Sequence, residues 1–118
     1  MTKQTCATIL LLAFTVLLAA EDKSQTYKGE IMDDKCAAMA SHDAMMKSEG
    51  GPKSAKDCTL ACVKMGAKYV LYDPDTKTVY ALDNQEKPKA FAGQKVKMTG
   101  KFDETNKVLH FSRIVPLG

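Results

Sequence analysis

Hydrophobic and polar positions divide the chain into three stretches of different rhythm. From Ala7 to Ala20 the residues are apolar or small, interrupted only by Thr8 and Thr15. Residues 34 to 66 are rich in Ala, Met, Cys and Lys with a helix-like pattern, broken at Gly50-Gly51-Pro52. From 67 to 115 apolar positions alternate with polar ones or cluster in short runs between turn residues, the mark of strands. One further strand, Tyr27 to Met32, precedes the helical stretch.

The β half is the most regular. Ala67 to Tyr72 is rich in Tyr, Val and Leu, and Asp73-Pro74-Asp75-Thr76-Lys77 is a turn in which Pro presets the backbone angle. Thr78 to Leu82 returns as its partner. Asn84 to Ala92, with Pro88, reads as a loop or a single helical turn closed by Gly93. In Lys95 to Phe102, Val96, Met98, Gly100 and Phe102 point one way and Lys95, Lys97, Thr99 and Lys101 the other. Asp103 to Asn106 is a hairpin turn. Val108 to Val115 is the last strand, and its apolar residues slip by one after Ser112, which predicts a bulge.

This order predicts a mainly β, α+β domain: a five-stranded OB-like antiparallel barrel with a Cys-bearing helical insertion, about 34–66, after the first strand. Closure would remove exposed edges. A small open antiparallel sheet packed on the Cys-containing helix is the alternative, and periodicity does not separate the two. Within the insertion, Asp33 or Asp34 caps a helix running to about Lys47. Asp57 caps a second helix from Cys58 to Met65, with Gly66 as its stop and with Leu60, Val63 and Ala67 spaced to face the sheet.

The apolar stretch at the start changes the compartment. Lys3 followed by Ala7–Ala20 and then Glu21-Asp22-Lys23-Ser24 reads as a secretory signal, residues 1–20, cut after Ala20. The run is short for a span of ~20 apolar residues, so no membrane span is expected after cleavage. The single domain would then be 21–118, which suits one modest core. Without Lys3, 16 basic residues face 14 acidic ones. So balanced a charge in an exported domain argues against a nucleic-acid partner.

Export makes the remaining cysteines informative, because a small secreted domain often needs a staple. Cys6 leaves with the signal; Cys36, Cys58 and Cys62 remain, an odd number. A disulfide from Cys36 to Cys58 or to Cys62 would pin the insertion to the sheet, worth about 3 kcal/mol by chain entropy. Alternatively Cys36, His42, Cys58 and Cys62 form a Cys3His set suited to tetrahedral zinc. Cys58 and Cys62 are one helical turn apart, so a metal spans them more easily than a disulfide does. A third use is redox: Cys58 at the first helical position beside Lys56 would have a stabilised thiolate. Met39, Met45 and Met46 recur near His42 at helical spacing and, with it, suit copper(I), although Met at that spacing also serves as core filler. His110 has no assigned role. The carboxylates form no catalytic set, and no phosphate loop or Ser/His/Asp arrangement stands out, so an enzyme is not expected.

Gly29-Glu30-Ile31-Met32-Asp33-Asp34-Lys35-Cys36, then His42, then Cys58-Thr59-Leu60-Ala61-Cys62-Val63-Lys64-Met65-Gly66-Ala67 resembles a family of small exported bacterial proteins of unassigned function. Ala92 to Gly100 and Leu109 to Ile114 are similar to it as well. The resemblance implies a bacterial source and a periplasmic or extracellular site. The expectation is a small exported binding protein holding zinc or copper through its Cys/His cluster. The alternatives are a disulfide-stapled module that binds a protein, peptide or glycan on its β face, and a thiol-redox protein.

Overall fold

The computed structural model describes residues 23–118, so the expected signal and Cys6 lie outside the described residues. Five strands carry the fold: β1 Gln25–Asp33, β2 Tyr69–Asp73, β3 Thr78–Leu82, β4 Lys95–Asp103 and β5 Val108–Pro116. Three helices lie between β1 and β2: α1 Asp34–Ala38, α2 Asp43–Met46 and α3 Ala55–Lys64. A short 3-10 turn, Lys87–Phe91, links β3 to β4 and carries Pro88 at its start.

The molecule is therefore a mostly β, α+β domain with a five-stranded sheet. β1 pairs antiparallel with both β2 and β4, β2 with β3, and β4 with β5, while β3 meets β5 through a short parallel contact, Ala81 with Val108 and Leu82 with Leu109. The ladder thus returns to its first strand. The contact between β3 and β5 departs from an all-antiparallel ladder. At the expected bulge, Thr99 faces Arg113 while Gly100 faces Phe111, so Ser112 is the extra residue.

Strands β1 and β2 are covered on both faces, which explains the uninterrupted apolar run of β2. Ile31 and Leu71, paired across the two strands, enter the central core with Val96, Met98 and Leu109. Their neighbours Met32 and Val70 face the other way, into a second cluster with Cys36, Ala37, Cys58, Cys62, Ala67 and Tyr72. Leu60 and Val63 of α3 pack against the central core, and Ala67 is buried in the second cluster.

The insertion differs from expectation in two ways. The first helix does not run to Lys47: α1 ends at Ala38, Ala40 takes a left-handed backbone (φ +56°), and α2 restarts at Asp43. The Ser41 hydroxyl accepts from the Asp43 amide at 3.0 Å, the local bonding by which Ser competes with a helix. The second helix starts a turn early: Ser54, not Asp57, is its cap, with Ser54 Oγ accepting from the Asp57 amide at 3.1 Å. The C-terminal end is as expected. Gly66 (φ +109°) and Ala67 donate to the carbonyls of Val63 and Cys62, closing the helix in a Schellman arrangement. The N-terminal end of α3 rests on Gly93, where an added Cβ would lie 2.3 Å from the Lys56 amide nitrogen. Among the described residues, no helix is long and apolar enough to cross a membrane.

Candidate metal centre

Three elements bring chemistry to the helical side of the β1–β2 pair. Asp33 is the last residue of β1 and caps α1, its Oδ2 accepting from the Cys36 amide at 3.0 Å. Capping points Cys36, one turn into α1, at the sheet, and it is fully buried. Cys58, the fourth residue of α3, meets it with the two sulfurs 3.7 Å apart. His42 follows the break after α1. In one continuous helix, a residue six positions on from Cys36 would sit about 120° away around the axis. The left-handed turn at Ala40 instead returns His42 to the cysteines.

Asp33, Cys36, His42 and Cys58 thus form a buried group whose ligand atoms all lie within 4.8 Å of one another. A group so placed could hold a metal ion. Three of the expected donors, Cys36, His42 and Cys58, belong to it. Cys62 is not among the four but is buried beside them, interacting with both Cys58 and Cys36. Asp33 was legible only as a helix cap. Its role in the group follows from a second oxygen, Oδ1, that capping does not use.

Hydrogen bonding points to two of the same residues, Asp33 and His42. Asp33 Oδ1, His42 Nδ1 and Thr59 Oγ1 are buried side-chain atoms with no hydrogen-bond partner. Leaving such a group unsatisfied costs about 1–3 kcal/mol, and two of the three atoms belong to residues of the one group. The other imidazole nitrogen, Nε2, is 3.1 Å from Glu30 Oε2. With Nε2–H donating to that carboxylate, Nδ1 carries the lone pair. A carboxylate behind the imidazole in this manner fixes the ring and raises its basicity toward a metal.

Cys36 and Cys62 are in a setting that opposes charge. Burial, followed by the neighbouring Cys58 and Asp33, pushes Cys36 far above the usual thiol range. Burial first, then the charges of Asp33 and Cys58, raises Cys62. Cys36, Cys58 and Cys62 are all free; the 3.7 Å sulfur separation is well beyond the ~2.05 Å of a disulfide. Cys58 does not sit at the first helical position. Its amide already donates to the Ser54 carbonyl at 2.9 Å and its side chain is fully buried, so the helix-terminal setting expected of a reactive thiolate is absent.

The methionines divide. Met39 is 51% exposed, turned away from the cluster by the helix break. Met45 and Met46 pack against the second cluster, and Met32 is buried within it. His110 lies elsewhere, on β5, with Nδ1 3.2 Å from Asp83 and Nε2 3.8 Å from Asp103.

An open cleft of about 440 Å³ adjoins the site, lined among others by Lys28, Glu30, Met32, Ser41, Tyr72 and Lys95. Glu30 thus borders the cleft and holds His42. Compared with known protein families, curated proteins and solved structures, the chain matches none.

Proposed function

We propose that this protein is a small exported metal-binding domain that holds zinc through Cys36 and Cys58 Sγ, His42 Nδ1 and Asp33 Oδ1. The observation that carries the reading is the pair of orphaned buried atoms, Asp33 Oδ1 and His42 Nδ1, inside a group already containing two thiols. A cation would satisfy both at once. Spacing supports it: a tetrahedral ion with Zn–S bonds of about 2.3 Å holds two thiolates about 3.8 Å apart, against the 3.7 Å found. Two thiolates, one imidazole and one carboxylate suit zinc better than copper(I), which prefers sulfur throughout. The OB-like identity of the sheet, the bacterial family and the periplasmic or extracellular site belong to the same proposal, on the strand order and the sequence motifs.

Within this site the ion would supply structure: it would tie β1, α1, the His42 segment and α3 together. His42 orients by donating to Glu30, Asp33 divides its oxygens between the cap and the ion, and the two thiols lose their protons on binding. Elemental analysis and intact mass of the protein purified from its own compartment test the proposal. About one zinc per chain, with three cysteines that alkylate only after denaturation, is the expected result. A Cys36–Cys58 or Cys36–Cys62 disulfide with no metal would favour the stapled interaction module and remove the zinc centre.

A further inference from the structure

Cys62 is a buried thiol that the zinc set does not use. It lies one helical turn after Cys58, on the same face of α3. It is only 2% exposed and shares the second cluster with Cys36 and Cys58. It interacts with both of those thiols, which themselves approach to 3.7 Å. Three thiols from two helices are therefore buried in one cluster, with Cys62 one turn along α3 from Cys58. The cluster around them includes Met32, Ala37 and Val70, whose side chains are apolar and offer no strong hydrogen-bond acceptor.

We infer that Cys36, Cys58 and Cys62 form a second, all-sulfur donor set that overlaps the zinc set and takes copper(I). The inference rests on the metal-centre reading through the two thiols that both sets share. The chemistry separates the ions. Thiolate sulfur selects copper(I), which is content with three ligands and gains nothing from the Asp33 carboxylate. Zinc prefers four ligands and accepts the imidazole and the carboxylate. Cys62 is then the residue that decides specificity: it contributes to the copper set and not to the zinc set, while Asp33 and His42 do the reverse. Each thiol that binds gives its proton to solvent. Copper enters and stays as copper(I), so no electron is transferred and no oxidant is needed.

The test uses the protein reduced and without oxygen, titrated separately with zinc and with copper(I) against chromophoric chelators. Cys62→Ala is expected to lower copper(I) affinity by about tenfold or more while changing zinc affinity by less than about threefold. His42→Ala is expected to do the opposite. Circular dichroism of each variant checks folding, and copper-edge X-ray absorption of the unaltered protein counts the ligands without any variant. A shell of three sulfurs supports the inference; a shell containing nitrogen or oxygen overturns it. Equal loss of both ions on Cys62→Ala would also overturn it, since one common set would then serve both. If zinc fails to bind but copper(I) binds through three sulfurs, the zinc reading falls and this one stands. If zinc binds as proposed and copper(I) affinity ignores Cys62, the reverse holds.

Discussion

Asp33 uses its two oxygens for two purposes. Oδ2 begins α1 by accepting from the Cys36 amide, and Oδ1 is left over, buried and without a hydrogen-bond partner. A capping aspartate is easily read from a sequence; that its second oxygen has no partner depends on β1 being covered by α3, which only the folded chain reveals. Glu30 was equally hidden. Its position on the helix-covered face of β1, two residues before Met32, puts it behind His42. Replacing it tests the imidazole's orientation. Glu30→Ala should weaken zinc binding by about 10–100-fold, the usual cost of losing a carboxylate behind a histidine ligand. Glu30→Gln, whose amide oxygen can still accept from Nε2–H, should recover part of that loss. A chelator-competition titration showing unchanged affinity in Glu30→Ala would mean that Glu30 does not set the ring.

At the scale of elements, the strands were the legible part and the helices the illegible one. β3 has the expected limits, and the bulge at Ser112 follows from a slip of apolar residues visible in the sequence. Both signals are local, because alternation is fixed by which face is buried. The break between α1 and α2 is not local in that sense. Ala37, Ala38, Met39 and Ala40 are all good helix formers, so propensity alone would continue the helix. Bringing His42 back to the sheet requires the turn at Ala40, which takes a left-handed backbone against its own preference. The hairpin between β4 and β5 carries its own prediction. Asp103 is held below the usual carboxyl range by the Asn106 amide, then by the Asn106 side chain, with the Thr105 amide and His110 assisting against a desolvation cost. A carboxyl with a lowered value in the folded state adds stability that is full above its unfolded value. That contribution is lost as pH falls through the folded one. Asp103→Ala should therefore lower the thermal midpoint at neutral pH, and the difference from the parent should shrink below about pH 4. A difference that does not depend on pH would show that the turn gains nothing from the charge.

The whole molecule is organised by β1 and β2, whose two faces serve different clusters. The central core contains none of the cysteines, so the sheet is expected to stay folded without the ion. The second cluster is small, rich in sulfur and adjoins the orphaned atoms, so it depends on what occupies the centre. Zinc at about 100 times its dissociation constant would add about 2.7 kcal/mol to stability. For a domain of this size that is a rise in the midpoint on the order of 10 °C. A strong chelator should reverse the rise, with the loss of hydrogen-exchange protection concentrated in α1 and α3 rather than in β4 and β5. A midpoint indifferent to chelation would remove the structural role proposed for the ion. The cysteines and the histidine already stand together in one insertion of the sequence. That β1 supplies the fourth member of the group was not legible there, because it depends on how the long connection from Asp34 to Lys68 folds back.

The sealing of the four donors has a kinetic consequence. Asp33, Cys36 and Cys58 have no exposed surface and His42 has almost none, so an ion can enter or leave only when the insertion opens. Exchange is then limited by how often that opening occurs. An ion captured while the chain folds would persist through changes in its surroundings that are faster than that opening, and a chelator would remove it only at the pace of the opening. The metal carried by a folded molecule would thus be a memory of where it folded, and two populations folded in different compartments would remain distinguishable after mixing until the insertion opens.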